Sequence, residues 1–170
     1  MAEAGLTDWW KNNHKLCGQA IEAFQAHEKN LGLKSPFRLP NIGYSKLDFN
    51  GVTVSVSLDL MTEVANDKGK TSVGGTILCL WKTRSSDIPH RCQAMAMLAS
   101  EIVTKFLKAN QVCDPKMCVA LDVFGGQVYR AKTHQKTLLK AVENSCEEVA
   151  TIWPSVPPPP HYSGPPVQNL

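Results

Sequence analysis

The sequence predicts an α+β domain of order α-βββ-α-ββ-α: an antiparallel or mixed five-stranded sheet with helices packed on it, on one face. Three observations carry that expectation. Val52, Val54, Val56, Leu58 and Leu60 alternate with Thr53, Ser55, Ser57 and Asp59, and period two over such a run marks a strand with one face on a core and one in water. Met117 to Phe124 is apolar almost without a break, as in a strand buried on both faces in the middle of a sheet. Three other stretches carry apolar residues at helical spacing.

The first helix is expected over Thr7 to Asn30, with Thr7 as its cap, Trp10, Cys17, Ile21 and Phe24 on its apolar face, and Gly32 as its stop. Pro36 and Pro40 mark an extended connection. Tyr44 to Phe49 reads as a strand, and Asn50-Gly51 is the signature of a type I′ hairpin turn into the alternating strand. A polar loop over residues 66–70 leads to a third strand, Gly74 to Trp81, completing an antiparallel meander. Asp87 and Pro89 suit a helix start. From His90 to Lys108 the apolar residues wrap more than one face, so this helix is either central or packs its outer face on a second copy of the chain. Met95, Met97, Ile102 and Phe106 are the candidate interface residues. The apolar strand turns at Gly125-Gly126 and returns as Gln127 to Ala131. A last amphipathic helix then runs from a Thr133 cap to Trp153, with Leu138, Leu139, Val142, Cys146, Val149, Ala150 and Trp153 in one stripe, and Pro154 stops it.

One domain over residues 1–153 and a flexible proline-rich tail over 154–170 are therefore expected. The tail contains Pro159-Pro160-His161-Tyr162, a PPxY pattern, which carries little weight amid so many prolines. No stretch approaches the roughly 18 apolar residues of a membrane span, and the start has no apolar signal-peptide core. A net charge of +3 permits an anionic partner without implying one. The six cysteines read as buried thiols in a reducing cytoplasm. Cys113 and Cys118 lack a zinc-site spacing, and no metal or cofactor is expected.

Candidate chemistry is sparse. Asp122, alone in an apolar strand, is read as accepting backbone N–H groups at the strand end. The order helix, three strands, helix, strand is also that of the PD-(D/E)xK nucleases, which resembles this chain with Asp59 as first acid. In Leu80-Trp81-Lys82, however, leucine stands where the second acid is needed. The acids Asp48, Glu101 and Asp122 of a ribonuclease-H-like reading lack the alternating helix–strand pairs that fold requires. No nucleotide-binding, hydrolase or zinc-protease motif is present. Arg130, Lys132, His134 and Lys136 straddle the start of the last helix, where the helix dipole favours anions, and form a candidate anion-binding cluster.

The element order resembles the class I chaperones of bacterial type III secretion, the CesT/SycE-like group. It matches over the first helix to Asn30, Tyr44 to Trp81, Asp87 to Asn110, Met117 to Ala131 and Thr133 to Trp153. The resemblance implies homodimers through the middle helix and capture of an extended partner segment, although those chaperones are typically acidic with a shorter middle helix. The leading expectation is a non-enzymatic cytoplasmic protein-binding module, a homodimer with a protein partner. The alternatives are an anion or nucleic-acid-binding accessory protein and a degenerate Mg-dependent nuclease.

Overall fold

A computed structural model describes residues 3–32, 36–40, 45–65, 69–83, 85–133 and 135–157, with side chains from Trp10 onward. Tyr44, His134 and the tail from residue 158, including the PPxY pattern, lie outside the described residues. Among the described residues three helices, α1 (Glu3–His27), α2 (Ile88–Lys105) and α3 (Lys136–Ile152), accompany seven strands. These are β1 (Ser45–Phe49), β2 (Val52–Val56), β3 (Leu60–Ala65), β4 (Thr71–Cys79), β5 (Gln111–Cys113), β6 (Val119–Asp122) and β7 (Gln127–Arg130). The chain is α+β, and its five-stranded sheet is mixed.

The alternating run is not one strand. β1 and β2 form a two-stranded antiparallel ribbon, closed by Asn50 (φ 53°) and Gly51 (φ 82°), the paired positive φ values of a type I′ turn. At Ser57–Asp59 the chain leaves this ribbon and continues as β3, which pairs antiparallel with β4 in the main sheet. Asp59 makes the switch: its N–H donates to the Thr76 carbonyl at 2.9 Å, and its carboxylate accepts the Leu78 N–H at 2.7 Å. Val56 and Leu58 stay in the same core on either side of the break, so the apolar face is continuous while the hydrogen-bonding partner changes. Arg38 pairs with Met61 on the outer edge of β3, both backbone bonds at 2.9 Å.

The sheet order is β3-β4-β6-β7, with β5 also beside β4. β6 runs parallel to β4, and α2 makes the crossover between them. β5 and β6 follow one another along the same edge of β4, opposite residues 71–73 and 76–79. Between them the single turn Pro115–Met117 lies against Gly74. A Cβ there would fall 2.3 Å from both the Met117 Cβ and its carbonyl oxygen. The Gly74-Gly75 pair thus lies mid-strand, where β4 needs close approach, rather than at the strand's entry.

Both faces of the sheet are covered. On one, Ala96, Cys92 and Ile88 of α2 meet Cys79 and Ala120, while Ala99, Ile102 and Val103 meet Val73, Leu58 and Cys118. On the other, Leu31, with Ala23, Phe24 and Phe37, covers Val119, Leu121 and Val123. The expectation of helices on one face alone is corrected by the end of α1. Cys118 to Val123 are all 0–1% exposed, the two-sided burial their composition calls for. Gly32 (φ 58°) stops the chain after the turn Glu28–Leu31. Thr7 lies within α1, and α3 begins at Lys136, so neither Thr7 nor Thr133 is the helix cap.

Candidate functional site

The carboxyl ends of the parallel pair β4 and β6 meet at Cys79 and Asp122. Ends of this kind are the usual ligand sites of open sheets with crossover helices. A cleft of about 500 Å³ opens beside them, lined by Gln19, Glu22 and Ala23 of α1 with Lys82 and Phe124. Lys82 donates to the Gln19 side-chain oxygen and stands 5.4 Å above the Phe124 ring. Two of the acids singled out from the sequence, Asp122 and Asp59, flank this end, and both accept from backbone donors. Asp122, 1% exposed, accepts the Gly125 N–H at 3.1 Å, and its carbonyl accepts from Gly126 at 2.8 Å. Asp59 holds the Leu78 N–H. Leu80, in the place an acid-x-Lys motif reserves for a carboxylate, is 54% exposed. Among the described residues no three His, Cys, Asp or Glu side chains group closely enough to hold a metal ion.

The basic cluster divides. Arg130 turns inward: its guanidinium donates to the Lys116 carbonyl at 2.9 Å and to the Leu31 carbonyl, while its own carbonyl accepts from Gln93 at 2.8 Å. It braces β7 to the end of α1, to the turn before β6 and to α2. Lys132 and Lys136 are exposed at the start of α3. His134 lies outside the described residues.

The four candidate interface residues of α2 divide as well. Met97 (1% exposed) and Ile102 (0%) are core residues. Met95 is half-buried against Cys79, whose thiol donates to its sulfur at 3.4 Å. Phe106 is 44% exposed at the end of the helix. The two-sided apolar character of α2 is satisfied within the chain: one side meets the sheet, the other β1, β2 and α3. Of the two readings open to this helix, the central one describes its place.

Exposed apolar surface lies elsewhere. The α3 stripe begins half-buried at Leu138, Leu139 and Val142 and is buried at Cys146. It then runs out into solvent: Val149 is 47% exposed and Ile152 and Trp153 58% each, while Val156, in extended backbone past the helix, is 48% exposed. On α1, Trp10, Leu16 and Ile21 are exposed too. Sequence periodicity shows that a stripe exists; it does not show where the core beneath it ends.

Four of the six thiols lie in two pairs. Cys79 and Cys92 are buried side by side in one core cluster; burial, then neighbouring negative charge, pushes the Cys79 thiol far up. Burial likewise raises Cys92. Cys113 and Cys118 lie 3.6 Å apart, sulfur to sulfur. Cys113 is half-buried, 3.5 Å from the Ser100 hydroxyl. The hydrogen bond from Cys118 lowers Cys113 to about 6, while the same bond and burial push Cys118 up. Cys17 is exposed, unlike the buried thiols expected from the sequence.

Comparison with protein-family models, with curated proteins and with solved structures returns no match. No helix among the described residues is long and apolar enough to cross a membrane.

Proposed function

We propose that this chain is a non-enzymatic protein-binding module whose partner seats a helix against the outer end of α3. One observation carries the reading: an apolar stripe that is core at Cys146 continues uncovered through Val149, Ile152 and Trp153 at the end of α3. The intervals of three and four residues, from Cys146 to Val149 and on to Trp153, are those of a helix–helix seam. Burying a large apolar side chain is worth about 1.5–3 kcal/mol, so covering Ile152 and Trp153 favours association. The partner is another protein or a second copy of this chain, and the seam is the same for both. This places a dimer contact, if the occupant is a second copy, on α3 in place of α2.

A photo-crosslinking amino acid substituted at Trp153, irradiated in extract of the source cells, tests this. A discrete adduct that is absent when the probe sits at Lys140, and that weakens with Ile152→Ala, supports the reading. Mass spectrometry of the adduct tells partner from second copy. Equal, diffuse labelling at both positions would end it.

A further inference from the structure

We infer that Cys113 and Cys118 form a two-thiol site that reacts with hydrogen peroxide and closes to an intramolecular disulfide. The two residues come together because β5 and β6 follow one edge of β4 and the turn Pro115–Met117 is pressed against Gly74. Their sulfurs lie 3.6 Å apart, near enough to join through side-chain rotation and a small local shift. The pair is asymmetric. Cys113 is partly open to solvent, and Cys118 is enclosed. Ser100 reaches Cys113 from α2 with its hydroxyl at 3.5 Å, and Thr104, one turn on, gives its own hydroxyl proton to the Ser100 carbonyl at 2.8 Å. An accessible thiolate beside an enclosed, protonated thiol is the arrangement of an attacking and a resolving cysteine.

The chemistry balances with peroxide as the oxidant. The Cys113 thiolate attacks one peroxide oxygen; an S–O bond forms, the O–O bond breaks, and the departing hydroxide takes up a proton to become water. The Cys118 sulfur then attacks the oxidised Cys113 sulfur; the S–S bond forms, the S–O bond breaks, and a second water leaves with the Cys118 proton. Two thiols become one disulfide and one peroxide becomes two waters. Cys79 and Cys92, also paired but both buried, have no such route to solvent and serve as an internal control.

The test uses the full chain carrying Cys17→Ser, to remove the exposed thiol, treated with a small molar excess of hydrogen peroxide. Trypsin cuts after Lys108, Lys116 and Arg130, so the disulfide joins peptides 109–116 and 117–130 in a species that a reductant separates. The expected result is that linkage, with two of the five remaining thiols lost to alkylation and Cys79 and Cys92 unchanged. In Cys118→Ala, Cys113 is expected to accumulate as a sulfenic acid trapped by dimedone; in Cys113→Ala, Cys118 stays a thiol. Separate peptides with both thiols still alkylated, or equal oxidation of Cys79 and Cys92, would overturn the inference. The peptide map of the chain with both cysteines decides this even if the alanine variants do not fold.

Discussion

The Arg130 guanidinium donates to the carbonyl oxygen of Leu31, 99 residues earlier in the chain. Leu31 is itself 0% exposed and caps the core on the face opposite α2. This bond, with the one to Lys116, makes Arg130 a brace. Hydrogen bonds to charged groups contribute about 1.5–3 kcal/mol each, so Arg130→Ala is expected to cost about 2–5 kcal/mol in urea unfolding. Arg130→Lys cannot hold the same fork and recovers only part of that. Lys132→Ala, exposed, is expected to stay within about 0.5 kcal/mol of the parent. An anion site at this cluster would give the opposite ranking in binding without any loss of stability.

Two glycines predict opposite signs. At Gly74 an added methyl meets backbone and Cβ of Met117 at 2.3 Å. Backbone cannot give way cheaply, so Gly74→Ala is expected to destabilise by about 3 kcal/mol or more. At Gly18, inside α1, nothing lies within 4 Å of a built Cβ. Gly18→Ala is expected to stabilise by about 0.5–1 kcal/mol. Thermal melts of the two variants check both signs.

Asp122 closes the β6–β7 turn by accepting from Gly125. Asp122→Ala leaves that N–H without its side-chain acceptor, an expected cost of about 1–3 kcal/mol. Asp122→Asn retains an oxygen at the same place and is expected to cost less. Amide exchange at Gly125 should accelerate in the alanine variant and much less in the asparagine variant.

Alkylation of Cys113 should show a pH midpoint near its lowered value of about 6. Burial, and after it Asp114, acts against the lowering, while Ser100 and above all Cys118 act for it. The thiol is more acidic folded than at its ordinary value of 9.0. Its contribution to stability is therefore complete above that value and fades as pH falls through about 6. Cys113→Ser should remove this part of the stability rise between those pH values. A midpoint near 9 in the native protein would show that Cys118 does not hold the thiolate. Cys118→Ala should move the midpoint upward.

The strand at the centre of the apolar run Met117–Phe124, Val119–Asp122 in the structure, and its hairpin are legible because an uninterrupted apolar run has few places to go, and the same holds for Asn50-Gly51, whose positive φ values few other pairs adopt. The break at Ser57–Asp59 was hidden because Leu58 keeps the alternation while its neighbours change partners. Periodicity reports which face is apolar, not which strand lies alongside. Arg130 misled for a related reason: its charge is visible in sequence, and the carbonyls 14 and 99 residues away that absorb it are not. The thiol pair shows as a spacing of five, but its closeness depends on a turn seated against Gly74. The uncovered end of α3 is a matter of where the core stops, which no local pattern encodes.

The parallel pairing of β4 with β6 imposes an order on assembly. β3 and β4 are joined by a short loop and can pair as soon as both exist. The other edge of β4 must wait for some 40 further residues, including all of α2, before β6 can add to it. Loop closure over that distance is slow compared with hairpin formation. On the ribosome the Val73–Cys79 edge therefore stays open while α2 emerges. A transient strand edge of this kind is where misassembly between nascent chains begins, and substitutions that speed helix formation in α2 should shorten that exposure without altering the finished fold.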